Sequence, residues 1–558
     1  MDTEPTIIET RAPQLFPTFS EAELQRLQRF GALRQYPPGA RLVTVGQPTD
    51  SLLFILSGTA ALSVRSAADE VRHLTNYQRG SLVGELGQLA SQPAFVTVEA
   101  LEPLTVLAIP SEVLRAVLIG EAEIGEKIMR ALILRRVGLI EMGSGGPIII
   151  GSRASRDVLR LEDFLRRNGY PQRTLDGETD ETAKGLIERF KVDPSQLPIV
   201  LCPNGQLLNN PTESELAVAV GLVSKLDPDN AYDVAVVGAG PAGLSAALYA
   251  ASEGLSVVMI DAHAFGGQAG ASARIENYLG FPTGISGMAL MGRAYSQAQK
   301  FGVTALIPRT ARAIAACGSN SEFYDLELSE GPRVRSRAVV IATGARYRRL
   351  DDIDNAAAFE GTSIHYWVSP IESRLCAGED VAVVGGGNSA GQAVVYLASS
   401  GVKTVYLLVR AQDLGTRMSA YLVERITGLP NVQVVLGASI VSLEGEAGLL
   451  KRVVWRDQSS HATSRVIRHL FLFIGADPNT DWLTSCGISV DSKGFVVTGT
   501  GMGQTAHSLE TSRPGIFAIG DARAGSVKRV AAAVGEGAVV APALHRYVTT
   551  VKEPRRTA

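Results

Sequence analysis

The chain has 558 residues, a formal net charge of −3 at pH 7 and only four cysteines. This length predicts three or four domains, and the near-neutral charge excludes the basic surface typical of proteins that bind nucleic acid or lipid surfaces. No apolar run reaches the ~18 residues of a membrane span. The cysteines lie far apart in the sequence, which argues against a disulfide scaffold and against a zinc site, so we expect no metal centre.

The N-terminal segment Met1–Thr10 is acidic and lacks the apolar core of a signal peptide, so we expect a cytoplasmic protein. Two breaks in composition predict linkers: Gly143–Pro147 follows a long helical pattern, and Asp227–Asn230 precedes a strand. These breaks separate two N-terminal units, residues 1–141 and 147–223, from a larger C-terminal part.

The first unit, residues 1–141, has the spacing of a β-roll followed by a helix. Tyr36–Gly39, Gly46, Leu53–Gly58 and Gly84–Leu86 occur in the order found in cyclic nucleotide-binding domains, and the unit resembles that family. The resemblance implies that Glu85 would hold a ribose hydroxyl, and that an arginine would pair with the cyclic phosphate. Ala94 occupies that arginine position. We therefore expect a roll kept for packing or for another ligand. No helix-turn-helix for DNA follows it.

The second unit, residues 147–223, resembles a thioredoxin or glutaredoxin domain. Pro147–Ile150 predicts a strand, Asp157–Gly169 an amphipathic helix, and Leu197–Val200 resembles the cis-proline entry to a strand in that family. Redox cysteines would follow the first strand, but Gly151–Ser155 contains none, and Cys202 is expected to be a buried core thiol. The unit is thus predicted to dock rather than to exchange thiols.

A βαβ nucleotide fingerprint opens the C-terminal part at Asp233–Asp261. Gly238 allows the tight turn out of the strand, Gly240 lets the backbone approach a pyrophosphate, and Gly243 lets the helix pack on the sheet. The helix N-terminus offers free N–H groups to the phosphates, and the acid Asp261 is placed to bond a ribose. The predicted contacts of this fingerprint are Gly238, Gly240, Pro241, Ala242, Gly243 and Asp261.

A second copy of the fingerprint follows at residues 380–410. It carries Gly385, Gly387, Asn388, Ser389 and Ala390. No acid ends its second strand; Arg410 stands there, with Arg417 seven residues later. An arginine can pair with the 2′-phosphate of NADPH, whereas an acid would repel it, so NADPH is predicted over NADH. The alternative interpretation is that Arg410 is a solvated surface charge.

Residues 232–558 resemble the low-molecular-weight thioredoxin reductases. Besides the fingerprints, the motifs that carry the resemblance are Gly266–Gln268, Glu276–Tyr278, Ala342–Gly344 and Thr511–Asp521. The resemblance implies an FAD domain at 232–345 and 471–558, interrupted by an NADPH domain at 346–470. It also implies that Asp521 contacts the ribityl chain and that Arg529–Ala531 approaches the flavin. The further FAD-binding residues expected are Gly267, Gln268, Asn277, Thr343, Gly344, Gly520, Asp521, Arg529, Val530 and Ala531.

The sequence departs from that family at the residues that would carry thiol chemistry. The family has a Cys-x-x-Cys pair before the second fingerprint, and Val368 and Ile371 occupy those positions here. Cys376, eight residues after Val368, is more readily a structural thiol than a redox one, and His365 is expected to be a hydrogen-bonded structural histidine. The NADPH motif of that family has two adjacent arginines, whereas here Arg410 is followed by Ala411.

The sequence therefore predicts a multidomain protein with a β-roll, a thioredoxin-like α/β unit and two Rossmann-like α/β domains. Its expected function is hydride transfer from NADPH to FAD and then to an acceptor, without an internal dithiol. The acceptor stays open among a quinone, oxygen, an iron–sulfur protein, an external disulfide and a protein partner. Two alternatives are a flavin-loaded sensor and a thioredoxin-disulfide reductase with unrecognised cysteines. The catalytic residues are unknown, and a homodimer is expected.

Overall fold

The computed structural model describes residues 7–65, 71–90, 92–223, 226, 230–316, 322–459, 461–499 and 508–552. Asp227, Pro228 and Asp229 of the second predicted linker, Cys317, and residues 1–6 of the N-terminal segment lie outside the described residues. Among the helices described, none combines the length and apolarity that crossing a membrane requires.

The N-terminal unit is a roll of two four-stranded antiparallel sheets with helices at both ends, which confirms the predicted β-roll. The elements are α1 (Ile7–Thr10), α2 (Ala12–Leu15), α3 (Glu21–Leu27), β1 (Ala32–Tyr36), β2 (Arg41–Val43), β3 (Ser51–Ser57), β4 (Ala60–Arg65), β5 (Val71–Tyr77), β6 (Leu82–Val83), β7 (Thr97–Ala100), β8 (Leu104–Pro110), α4 (Ser111–Gly120) and α5 (Ala122–Met142). One sheet has the strand order β1-β8-β3-β6 and the other β2-β7-β4-β5. Gly143 caps the C-terminus of helix α5, and its φ of 57° is a left-handed conformation that favours glycine.

The second unit is built on a central mixed sheet of four strands. Its elements are β9 (Ile148–Ile150), α6 (Arg156–Arg167), β10 (Arg173–Leu175), α7 (Glu181–Phe190), β11 (Ile199–Leu201), β12 (Leu207–Asn209) and α8 (Glu213–Ala219). The strand order is β10-β9-β11-β12, and of these pairs only β9 and β10 run parallel. Leu197–Pro198, before β11, is a cis peptide bond, as the sequence predicted. Cys202 is buried in the core, also as predicted.

The two N-terminal units share one hydrophobic core. Phe95 of the roll and Leu139 of α5 pack in the same cluster as Ile149, Val158 and Tyr170 of the second unit. The ring of Phe95 meets that of Tyr170 edge to face, with centroids 4.7 Å apart. The two units are therefore joined by buried apolar contact and not only by the linker.

The third unit is an α/β domain around a largely parallel sheet. Its elements are β13 (Ala231–Val237), α9 (Pro241–Ser252), β14 (Val257–Ile260), α10 (Gly267–Ala271), α11 (Gly287–Lys300), β15 (Thr304–Leu306), β16 (Ala311–Ala316), β17 (Tyr324–Leu328), β18 (Val334–Ile341), β29 (Ile516–Ala518) and α15 (Val530–Lys552). The strand order is β15-β14-β13-β18-β17-β16, and β29 also pairs with β18. The buried apolar runs of β13 and β18 place these strands at its centre, between helices that include the C-terminal α15.

The fourth unit is inserted between β18 and β29. Its elements are β19 (Ala345–Tyr347), β20 (Ile364–His365), α12 (Pro370–Leu375), β21 (Asp380–Val384), α13 (Asn388–Ser399), β22 (Thr404–Val409), α14 (Ala420–Thr427), β23 (Val432–Leu436), β24 (Ser439–Glu446), β25 (Leu449–Arg456), β26 (Ala462–Val466), β27 (His469–Leu472) and β28 (Ala476–Pro478). It has its own parallel sheet, β20-β27-β21-β22-β23, and a meander, β24-β25-β26. The antiparallel pair β19–β28 forms the two crossings between the third and fourth units.

The expected boundary between residues 470 and 471 falls inside β27. This strand pairs with β20 and with β21, so Phe471 and Leu472 belong to the inserted unit. The chain returns to the third unit only after β28. Hydrophobic patterning did not reveal that β27 belongs to the inserted unit, because a buried strand has the same apolar pattern in either sheet.

Candidate functional site

The first fingerprint requires glycine at its tight turn and at its helix. Gly238 follows β13 with a φ of 111°, and a Cβ added there would lie 2.2 Å from the carbonyl oxygen of Ala342. A Cβ on Gly243 would lie 1.9 Å from the carbonyl oxygen of Gly238. Gly240 precedes α9 as its N-cap, with Pro241 in the first turn. The free N–H groups of α9 therefore point to the turn, as a pyrophosphate site needs.

Asp261, the predicted ribose-binding acid, is held by the backbone of its own loop. Its Oδ2 accepts a hydrogen bond from the N–H of Ala239 at 2.8 Å, and its Oδ1 accepts from those of His263 at 3.0 Å and Ala264 at 3.2 Å. The carboxylate ties the end of β14 to the turn after β13, and it also lines the cleft described below. The carboxylate keeps lone-pair capacity for a ribose hydroxyl.

The second fingerprint repeats this geometry in the inserted unit. Gly385 has a φ of 144°, and a Cβ there would lie 2.5 Å from the carbonyl oxygen of Phe473. Gly387 is the N-cap of α13, and a Cβ there would meet no atom within 4 Å. The Oδ1 of Asn388 accepts a hydrogen bond from the N–H of Ser419 at 2.7 Å, which fixes the start of α13. The space in front of α13 is open, as a bound dinucleotide requires.

Residues of both fingerprints line one continuous cleft of about 1560 Å³. This volume exceeds the ~300–1,000 Å³ typical of a pocket for one small ligand. The predicted residues that line it are Gly238, Gly240, Pro241, Ala242, Asp261, Gly267, Gln268, Asn277, Thr343, Gly344, Gly387, Asn388, Ser389, Ala390, Arg417, Asp521, Arg529, Val530 and Ala531.

Four predicted site residues are not part of the cleft lining. Gly243 and Gly385 shape the turns behind it, and Gly520 has a φ of 68° in a short turn against Ala242. Gly243 and Gly385 thus permit close approach of backbone to backbone, and Gly520 leaves room for the methyl group of Ala242. Arg410 lies exposed just after β22, whereas Arg417 faces the cleft. Cofactor contact by the three glycines and phosphate binding by Arg410 stay predictions.

Asp521 lies in the short turn Gly520–Ala522 at the cleft, beside the start of α15. Burial raises the pKa of its carboxyl, and the neighbouring Lys528 opposes that rise. The Lys528 ammonium donates to the backbone carbonyl of Asp521 at 2.5 Å, which fixes the turn. At the crossing between the units, the hydroxyl of Thr343 donates to the carbonyl of Asn479 at 2.8 Å.

The segment 368–371, where the resemblance would place a Cys-x-x-Cys pair, is apolar and well packed. Val368 and Ile371 are 5% and 7% exposed at the start of α12. The side chain of Ser369 caps this helix, and Glu372 accepts hydrogen bonds from the Ser369 N–H at 2.7 Å and the Trp367 Nε1–H at 3.2 Å. Ile371, Glu372 and Trp367 line the cleft.

The three described cysteines are buried and unpaired, and each lies in a different core. Cys376 packs in the core of the inserted unit, Cys202 in the core shared by the N-terminal units, and Cys486 in the third unit. Burial raises the pKa of Cys376 to about 12 and that of Cys202 to about 11. Neither is a reactive thiolate at neutral pH.

His365, expected to be a hydrogen-bonded structural histidine, is buried and shares a hydrogen bond of 3.1 Å with the ring of His469. Burial lowers the pKa of His365 to about 3, so its ring is neutral at physiological pH. The ring also stacks near Phe471, with centroids 4.9 Å apart. His365 lines the cleft, but its interactions are those of a packed, neutral residue.

The second unit also lines this cleft, which sequence reasoning missed. One face of α6 contributes Arg156, Leu159, Arg160, Asp163, Phe164 and Arg167 to the wall. The amphipathic pattern of α6 predicts a buried face and a polar face, but it does not say which surface the polar face meets. Only the docking of whole units places those charges beside the fingerprints.

In the roll, the carboxylate of Glu85 binds its own loop. Glu85 is buried, and its Oε1 accepts a hydrogen bond from the N–H of Phe95 at 3.0 Å. Burial raises the pKa of Glu85, and the nearby Arg136 opposes this. The guanidinium of Arg136 lies 4.6 Å from the ring centre of Phe95. The segment around Ala94 and Phe95 is thus packed against α5 and the second unit.

Residues 232–537 match the protein family described as pyridine nucleotide-disulphide oxidoreductase, and residues 33–120 match the cyclic nucleotide-binding domain. The chain is 28% identical over 326 residues to a thioredoxin reductase of Borreliella burgdorferi, covering 58% of this chain and 95% of that protein. It is 30% identical over 331 residues to a component of the alkyl hydroperoxide reductase of Pseudomonas putida, covering 59% of this chain and 61% of that protein. The crystal structure of Lactococcus lactis thioredoxin reductase superposes with a TM-score of 0.52 and 25% identity, covering 57% of this chain and 99% of that one.

Proposed function

Because this chain belongs to the pyridine nucleotide-disulphide oxidoreductase family, we propose that it transfers a hydride from NADPH to FAD and delivers the electrons to an acceptor without an internal dithiol. The chain is an oxidoreductase whose cofactors are FAD and NADPH. The observation that supports the proposed transfer is the cleft that joins the two fingerprints.

The chain's own residues would bind and orient the two dinucleotides. The N-terminus of α9, with Gly240, would hold the FAD pyrophosphate, Asp261 the ribose, and Asp521 the ribityl chain. The N-terminus of α13, with Gly387, would hold the NADPH pyrophosphate. When bound, FAD accepts a hydride from the nicotinamide and then passes electrons on. The apolar start of α12 would exclude water near the reacting rings.

A spectroscopic experiment tests this proposal. The purified chain should show the absorbance of oxidised flavin, and anaerobic NADPH should bleach it. Adding a quinone, oxygen, an iron–sulfur protein or a disulfide in turn then identifies the acceptor by the return of the oxidised spectrum. A chain that stays colourless after incubation with FAD would refute the proposal.

A second candidate function is a sensor in which the state of the flavin changes partner binding. The observation that favours it is the docking of α6, part of an N-terminal unit, against the cofactor cleft. Steady-state turnover separates the two functions, because enzymes typically run at about 1–1,000 per second. Turnover below about 0.01 per second with every acceptor tried would favour the sensor.

The preference for NADPH is tested by replacing Arg410 and Arg417 with alanine, one at a time. Losing a charge-assisted bond to the 2′-phosphate should weaken NADPH binding by about 1.5–3 kcal/mol, which is tenfold or more, and should leave NADH nearly unchanged. Binding is measured by the rate of flavin reduction against nucleotide concentration. The exposed Arg456 of β25 offers a control replacement in the same unit. Faster reduction of the wild type by NADH at equal concentration would show the preference to be wrong.

Cyclic AMP and cyclic GMP are expected to bind weakly or not at all. The carboxylate of Glu85 already accepts a hydrogen bond from the N–H of Phe95. Residues 80–114 contain no arginine or lysine that could pair with a cyclic phosphate. A missing charge-assisted bond removes about 1.5–3 kcal/mol of binding energy. Titration calorimetry checks this, with a competent cyclic nucleotide-binding protein as the positive control. A dissociation constant below about 10 μM would contradict it.

A further inference from the structure

The last turn of α6 reaches the flavin half of the cleft from the second unit. The Nη2–H of Arg167 donates to the carbonyl oxygen of Gly267 at 2.9 Å, and the Nδ2–H of Asn168 donates to that of His263 at 3.1 Å. The Nδ1 of His263 lies 3.0 Å from the Oε2 of Glu213 in α8, which adds a third contact between the two units. Arg167 is therefore held inside the wall of the cleft.

Gly267, which Arg167 contacts, lies directly opposite the pyrophosphate turn. A Cβ added to Gly267 would lie 3.1 Å from the Cα of Gly240, the N-cap of α9. The guanidinium is thus separated from the phosphate-binding end of α9 by little more than one glycine. An arginine at this distance adds a positive charge to the helix N-terminus, and both attract a phosphate.

The guanidinium of Arg167 is incompletely paired within the protein. Its Nε is buried and finds no hydrogen-bond partner among the described residues. The Nε of Arg166 is likewise buried without a partner, but Arg166 forms an ion pair with Asp163 at 2.5 Å. Arg160 forms an ion pair with Asp157 at 3.4 Å. Across the described part of the chain, no carboxylate forms an ion pair with Arg167. A partly buried cation without a counter-ion is costly, and an anionic ligand would remove that cost.

We infer that Arg167 binds the pyrophosphate of FAD, so that the N-terminal α/β unit forms part of the flavin site. This inference rests on the proposed function, because it assumes FAD at the first fingerprint. The loading of flavin then depends on the docking of α6. By linkage, bound FAD stabilises that docking to the same extent. The unit, which has no cysteine in the segment Gly151–Ser155 directly after its first strand, thereby has a role that needs no thiol.

The experiment is an FAD titration of the full chain after removal of the flavin, followed by the quenching of flavin fluorescence. Replacing Arg167 with methionine keeps the apolar stem and removes the charge, and should raise the dissociation constant of FAD about tenfold or more. Replacing the exposed Arg189 of α7 with alanine should change it by less than about twofold. Higher salt should weaken FAD binding more in the wild type than in Arg167→Met, because only the wild type has the arginine–phosphate charge pair that salt screens.

The variant Arg167→Lys separates charge from packing. Lysine keeps the charge but lacks the planar fork, so it should recover part of the affinity and the salt dependence. Far-ultraviolet circular dichroism without FAD checks that each variant folds. If Arg167→Met does not fold, the comparison of Arg167→Lys with the wild type tests the inference. Dissociation constants within about twofold of the wild type for both variants would overturn the inference. A wild type that binds no FAD would instead overturn the proposed function.

Discussion

Replacing Gly387 with glutamate is expected to slow reduction of the flavin by NADPH at least about a hundredfold while FAD stays bound. Gly387 has φ −104° and ψ 179°, an extended conformation that any residue adopts, and a Cβ there meets no atom within 4 Å. The fold should therefore accept the side chain. The new carboxylate would occupy the N-terminus of α13, fill the space of the NADPH pyrophosphate and repel it.

Anaerobic stopped-flow absorbance measures this effect directly. Dithionite should still reduce the flavin of the Gly387→Glu variant, because the first fingerprint lies in another unit and is untouched. Gly185, exposed on α7 with nothing within 4 Å of its Cβ position, gives a matched control, Gly185→Glu, that adds the same charge elsewhere. Reduction of Gly387→Glu by NADPH at the rate of the control would place the nicotinamide dinucleotide somewhere other than α13.

This chain is expected to catalyse negligible NADPH-dependent reduction of ordinary thioredoxin. A dithiol relay needs two thiols that can form a disulfide with each other, because the second thiol resolves the mixed disulfide formed by the first. Val368 and Ile371 have no sulfur, and the three cysteines among the described residues, Cys202, Cys376 and Cys486, lie in three separate cores. A standard insulin-coupled assay measures this, with an authentic thioredoxin reductase as the positive control.

Replacing Cys376 with serine should leave the rate of flavin reduction by NADPH unchanged within about threefold. Cys376 is fully buried at the end of α12, and its pKa is raised to about 12, so it has little thiolate character. The same replacement at Cys202 serves as a control for loss of a buried thiol in another unit. A large loss of thioredoxin or disulfide reduction confined to the Cys376 variant would contradict the account.

The fingerprints could be predicted from the sequence because their constraints are local. At Gly238 and Gly385 the chain must adopt a positive φ close to another backbone, and glycine alone meets that demand without strain. Gly387 and Gly240 follow from the same pattern, since each precedes a helix after a buried strand. A strand, a turn and a helix in sequence order suffice for such a prediction.

Contacts between the units could not be predicted in this way. Arg167 reaches the flavin half of the cleft only because the second unit docks there. The helical periodicity of the α6 sequence does not indicate which surface its polar face contacts. Phe95 similarly joins a core with Ile149 across a unit boundary. Hydrophobic periodicity shows that a face is buried, but it does not identify the surface that covers it.

Electron transfer through flavin without an internal dithiol is tested most directly by an anaerobic titration with NADPH. Absorbance at each addition counts the reducing equivalents that the protein takes up. We expect about one two-electron equivalent per FAD, because a flavin without a dithiol beside it takes up two electrons. An uptake of about two equivalents per FAD, with the second lost in Cys376→Ser, would show a working redox pair and contradict it.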